Sequence, residues 1–191
     1  MPKLSIHKIA AADSANVSNV INTPSFATCF DRRSLERASS AIKTITDEHP
    51  SVASNIEVLE IDVSDDASVS AAASAFKAKG KTLHALVNNA GVGLGSAGDI
   101  LATNFYGPKR VTDAFVDFVD KDSGRIVNVS SGSASMWLRN QDDATKALFT
   151  SETSTWEELE ACMLSNESSY GLSKAGLTGE KARLLDNNVH R

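Results

Sequence analysis

The sequence predicts an α/β fold, a doubly wound parallel sheet with helices on both faces. Two observations carry that expectation. Short apolar runs alternate along the chain with stretches of helical period, and most runs end in polar or small residues just before the next helical stretch begins. The 191 residues, 41% hydrophobic and 23% charged, suit one domain with a real core. No internal repeat, low-complexity tract or interdomain linker divides them.

The elements follow in order. Residues 1–24 show only weak periodicity, with a short strand or helix expected around residues 9–17. Phe26–Phe30 reads as a strand ending at Asp31-Arg32-Arg33. Ser34 caps a helix with Leu35, Ala38, Ile42 and Ile45 at helical spacing, ended by His49-Pro50. Ile56–Ile61 is the next strand, closing on Asp62-Val63. Ser64 is expected to cap a helix with Val69, Ala72, Ala73 and Phe76 on one face, stopped by Gly80. Leu83–Val87 reads as a buried strand running into Asn88-Asn89-Ala90-Gly91. A long helix is expected over residues 99–119, then a strand over residues 124–129. Residues 132–167 break the alternation. They carry one clear helix, marked by a Thr155/Glu158 capping box with Trp156, Leu159 and Met163 on one face. This insertion, past the end of a strand, is expected to wall or cover a substrate pocket.

Composition excludes several classes. A net charge of -5, with basic residues scattered along the chain, opposes nucleic acid and anionic membrane as partners. No apolar run approaches the ~18 residues of a membrane span, and residues 1–12 show no leader pattern. Two cysteines, Cys29 and Cys162, and four dispersed histidines give neither a disulfide framework nor a metal site. A cytoplasmic, monomeric protein is the expectation.

Chemistry concentrates in Ser168-Ser169-Tyr170-Gly171-Leu172-Ser173-Lys174. A tyrosine and a lysine four residues apart share one helix face. A free phenol, with a pKa near ~10, is a poor general acid at neutral pH, and an adjacent ammonium favours its phenolate. Tyr-x-x-x-Lys also arises by chance, so it gains weight only in company. That company is Asp62-Val63 after one strand, Asn88-Asn89-Ala90-Gly91 after the next, Asn104 within Thr103–Gly107, and Ser131 closing Val127-Asn128-Val129-Ser130-Ser131.

In this order the set resembles the short-chain dehydrogenase/reductase family over residues 25–185. The insertion resembles that of its monomeric carbonyl reductase branch. The resemblance implies a Rossmann-like fold and NADP-dependent reduction of a small-molecule carbonyl to an alcohol, with NAD as the alternative cofactor. It implies that Tyr170 passes a proton to the carbonyl oxygen and that Ser131 holds that oxygen. Lys174 would favour the phenolate and bond the nicotinamide ribose, and Asn104 would position a water in the proton relay. Asp62 and Val63 would meet the adenine, and Asn89, Ala90 and Gly91 the adjacent ribose. Arg32, beside Arg33, is placed for a 2′-phosphate, as guanidinium chemistry suits. Asp31, at the strand end, would instead favour a ribose hydroxyl.

The chain departs from the family pattern in three places. The family's glycine-rich turn would fall at residues 10–20, which contain no glycine. Its last strands would lie beyond Arg191, so the expectation is an incomplete Rossmann-like domain, truncated at both ends. The link from Gly91 to Asn104 is also short. The alternative function is a non-catalytic remnant that serves as a binding or interaction protein.

Overall fold

The structure, a computed structural model, describes the backbone of residues 8–11 and 26–31, and residues 42–44, 46–48, 50, 56–151, 153–166 and 169–179. Five parallel strands form one sheet: β1 (Lys8–Ala11), β2 (Phe26–Asp31), β3 (Ile56–Ile61), β4 (Ala85–Asn88) and β5 (Arg125–Asn128). Their spatial order is β3-β2-β1-β4-β5. The chain therefore winds outward from β1 to β3, then reverses to the other side of β1. That reversal defines a doubly wound sheet and opens a crevice at the carboxyl ends of β1 and β4. At residues 9–11 the open choice falls to a strand; residues 12–17 lie outside the described residues.

Between β3 and β4 runs α1 (Asp66–Ala78), whose buried Val69, Ala72 and Phe76 form the face that periodicity marks. Its cap is Asp65, not Ser64. The Asp65 carboxylate accepts from the Ala67 N–H, while Ser64 turns back to bond Asp62 Oδ1 from both its N–H and its hydroxyl. The helix expected over 99–119 is broken into pieces. α2 (Ala97–Leu101), with a Ser96/Asp99 capping box, passes into a π-helical turn, Ala102–Tyr106, then into α3 (Gly107–Phe115) and a 3-10 turn over Val116–Phe118. Pro108 gives the reason. It has no N–H for the carbonyl four residues earlier, that of Asn104, and a wider turn accommodates the loss.

One core lies where α1 and α3 pack on the sheet, around Ile61, Phe76, Leu86, Val111 and Phe115. A second is built by the insertion. Three helices occupy it rather than one: α4 (Gly132–Arg139), α5 (Asp143–Thr150) and α6 (Trp156–Ser165). The Thr155/Glu158 capping box starts α6 as its sequence predicts, and Trp156, Leu159 and Met163 are all buried. These helices close around α7 (Tyr170–Gly179) and Phe105. Of the helix expected from Ser34, residues 42–44 and 46–48 are helical; the rest, with Arg32 and Arg33, lies outside the described residues. Among the described residues no helix is long and apolar enough to cross a membrane.

Candidate active site

The proposed site residues sit on turns leaving the carboxyl ends of β3, β4 and β5, and on the helix that faces them. At the end of β3, Asp62 is fixed by an Asx turn and by its own N–H donating to Ser68 Oγ at 2.8 Å. Val63 is buried, and its carbonyl accepts from Arg110 of α3 at 2.8 Å, while the same guanidinium pairs with Asp66. The Asp62–Val63 turn is thereby anchored to the helix that follows Asn104.

β4 ends in a buried amide, Asn88, which donates to Thr112 Oγ1 at 3.0 Å and to Asn128 Oδ1 of β5 at 2.8 Å. Two parallel strands and α3 are thus locked where the chain turns into Asn89-Ala90-Gly91. The Asn89 N–H bends back to the Val87 carbonyl, which starts that turn.

Asn104 is fully buried in the π-helical turn. Its Oδ1 accepts from the Val92 N–H at 2.7 Å, and its Nδ2 donates to the Val92 carbonyl at 2.9 Å and to Ser173 Oγ at 3.1 Å. A side-chain amide here closes a reciprocal pair with backbone and fixes the loop after β4 against the helix.

Lys174 completes the cluster. Its side chain is buried, Nζ donates to the Val129 carbonyl at 2.9 Å, and the charge lies 5.9 Å from the centre of the Tyr170 ring. Burial pulls its pKa below the usual lysine value. Gly91 makes this convergence possible: a Cβ there would stand 3.2 Å from both Lys174 Nζ and Asn104 Oδ1.

The adjacent serines divide the work. Ser130 Oγ donates to the Lys174 carbonyl at 3.0 Å and meets the Thr178 hydroxyl at the same distance, tying α7 to the end of β5. Ser131 caps α4 by accepting from the Ser133 N–H at 3.2 Å, so its own O–H remains able to donate. α7 and α4 touch at their first turns, where a Cβ on Gly171 would stand 2.9 Å from the Ser133 carbonyl. Ser131 and Tyr170 therefore stand at the starts of two adjoining helices.

Lys174, Asn104 and Gly91 are brought together, with Tyr170 alongside. Asp62 and Val63 lie at the far end of the same strand-end row, and Arg32 lies outside the described residues. Sequence reasoning missed Ser173, Pro108 and Ser130. Gly107-Pro108 inside a long apolar helix was the available signal for Pro108; nothing marks Ser173 short of the fold.

A family model for short chain dehydrogenases matches residues 26–142, and the chain belongs to that family of oxidoreductases. Over 109 residues it is 37% identical to estradiol 17-beta-dehydrogenase 2 of Mus musculus, covering 50% of this chain and 29% of that protein. Over 127 residues it is 31% identical to (+)-neomenthol dehydrogenase of Arabidopsis thaliana, covering 52% of this chain and 43% of that one. The matched stretches span less than half the length of either relative. The menthone neomenthol reductase structure from Mentha piperita has the same fold, with a TM-score of 0.82 at 22% identity over 96% of this chain and 86% of its own.

Proposed function

We propose that this chain reduces a small-molecule carbonyl to an alcohol with NADP, using Tyr170, Lys174, Ser131 and Asn104. The observation that carries the reading is the meeting of Lys174 and Asn104 over Gly91, beside the Tyr170 ring. The residues present fit the ribose end of such a cofactor. A buried ammonium that donates to Val129 has, among the described residues, two more protons to give, and the missing Cβ at Gly91 keeps the approach open. Lys174 would hold the ribose, the Asn89–Gly91 turn its neighbour, Asp62 and Val63 the adenine, and Arg32 a 2′-phosphate. When bound, the cofactor supplies a hydride.

The chain's own part is proton transfer and positioning. Ser131 donates to the carbonyl oxygen and orients it toward Tyr170. Tyr170 gives its phenolic proton to that oxygen as negative charge develops there. Lys174 places positive charge against the phenol ring while that proton leaves. Asn104 holds the loop that carries Gly91 at a fixed distance from both. The three insertion helices wall the substrate side.

A second reading, a non-catalytic interaction protein, rests on residues 10–20, whose lack of glycine leaves side chains where a pyrophosphate would approach backbone. Calorimetric titration of the full chain with NADPH and NADH separates the two. NADPH should bind more tightly than NADH, and Arg32→Ala should weaken NADPH alone. Binding of neither favours the interaction protein, and tighter NADH binding assigns Asp31 rather than Arg32 the choice of cofactor.

A further inference from the structure

We infer that Ser173 is a positioning residue for the Tyr170–Lys174 pair, acting through Asn104; the inference deepens the proposed function and rests on it for its kinetic consequence. Ser173 is completely buried, one residue before Lys174. Its hydroxyl proton is committed to the Tyr170 carbonyl, at 2.8 Å, the back-bond that serine forms within a helical turn. The same oxygen accepts from Asn104 Nδ2 at 3.1 Å. A directional chain results. Val92 N–H donates to Asn104, Asn104 donates to Ser173, and Ser173 donates to the carbonyl of Tyr170 itself.

Three separate pieces of chain are joined by it: the loop after β4, the π-helical turn and the first turn of α7. Packing seats α7 through close approaches at Gly171, against α4, and at Gly176, against Phe105 and Met163. The directional hydrogen bond to Asn104 adds to these contacts a fixed register of α7 against the π-helical turn. Register is what the site needs, because Lys174 reaches from α7 to the Val129 carbonyl and to Gly91, with the Tyr170 ring 5.9 Å from its charge. An alanine at 173 leaves one Asn104 N–H buried without an acceptor. The amide must then turn or admit water, and either change loosens its grip on the Val92 N–H.

Amide hydrogen exchange of the full chain tests this without any need for turnover. The variants are Ser173→Ala and Ser173→Cys; cysteine keeps the volume with a weak hydrogen-bonding group, should alanine fail to fold. In whichever variant folds, the Val92 amide should exchange about tenfold faster than in the parent, the low end of the effect of orphaning a buried donor. The amides of Val69 in α1 and Phe115 in α3 should keep their parental rates. In NADPH-dependent carbonyl reduction, kcat should fall and the KM for NADPH should rise, because the loosened loop carries Gly91 beside Lys174. Parental exchange at Val92, or equal acceleration at all three amides, overturns the role and reduces Ser173 to packing. A parent chain that exchanges as expected but turns over no carbonyl defeats the reductase reading and leaves the Ser173 linkage standing.

Discussion

The two cores of this protein are built by different rules. Over the sheet, Phe76, Phe115 and Phe118 form a mutually tilted triad with ring centres 5.4–5.9 Å apart, set on aliphatic side chains of the strands. Around α7, Phe105 stacks flat on Trp156 with centres 4.4 Å apart, and Tyr106 and Lys109 close on the same indole. The first core joins elements that alternate along the chain and are repeated in kind. The second joins helices that share no regular pattern, and it seats the helix bearing Tyr170 and Lys174. Asn104 stands at the seam, one residue before Phe105. The sheet scaffold and the seat of the Tyr170–Lys174 helix are thus separate packing problems.

The largest test of that separation compares two fully buried phenylalanines. Phe115→Ala and Phe105→Ala should each cost ~3–5 kcal/mol of stability, the usual range for emptying such a site, read from urea denaturation followed by circular dichroism. They should differ in what else changes. Phe105→Ala should also disturb the environment of Tyr170, seen in its ring NMR shifts, whereas Phe115→Ala at low temperature should leave those shifts in place. Equal disturbance by both would merge the two cores into one.

A smaller effect belongs to Tyr106, beside the second core. Burial raises the Tyr106 phenol to about 12, and the Glu160 carboxylate adds to the shift by accepting its hydrogen bond. A group raised on folding contributes stability that is fully present below its unfolded value of ~10 and is lost as the pH climbs through about 12. Tyr106→Phe should therefore flatten the alkaline decline in stability across that window.

How much of this was legible in the sequence follows the same division. Alternation located β2 to β5 and their order along the chain, and the apolar face of α1 is buried as its spacing predicts. α4 and α5 went unread because each is only eight residues long: Trp137, Leu138 and Leu148 pack half-buried on the second core, but two turns are too short a window to show a period. The helix over 99–119 read as continuous because hydrophobic spacing is blind to one extra residue per turn; Pro108 held the correction. Ser173 could not be found at all, since a small polar residue in a helix reads as a surface position. Its value comes from Asn104, 69 residues earlier in the chain.

The proposed role of α7, delivery of a proton from Tyr170, is read plainly from carbonyl reduction by the Tyr170→Phe full chain. The substitution removes one hydroxyl and little volume. kcat should fall by about 10²–10⁴, the usual contribution of a positioned general acid, with NADPH affinity unchanged because Lys174 and Gly91 are untouched. Undiminished turnover in Tyr170→Phe would contradict it and place the acid elsewhere.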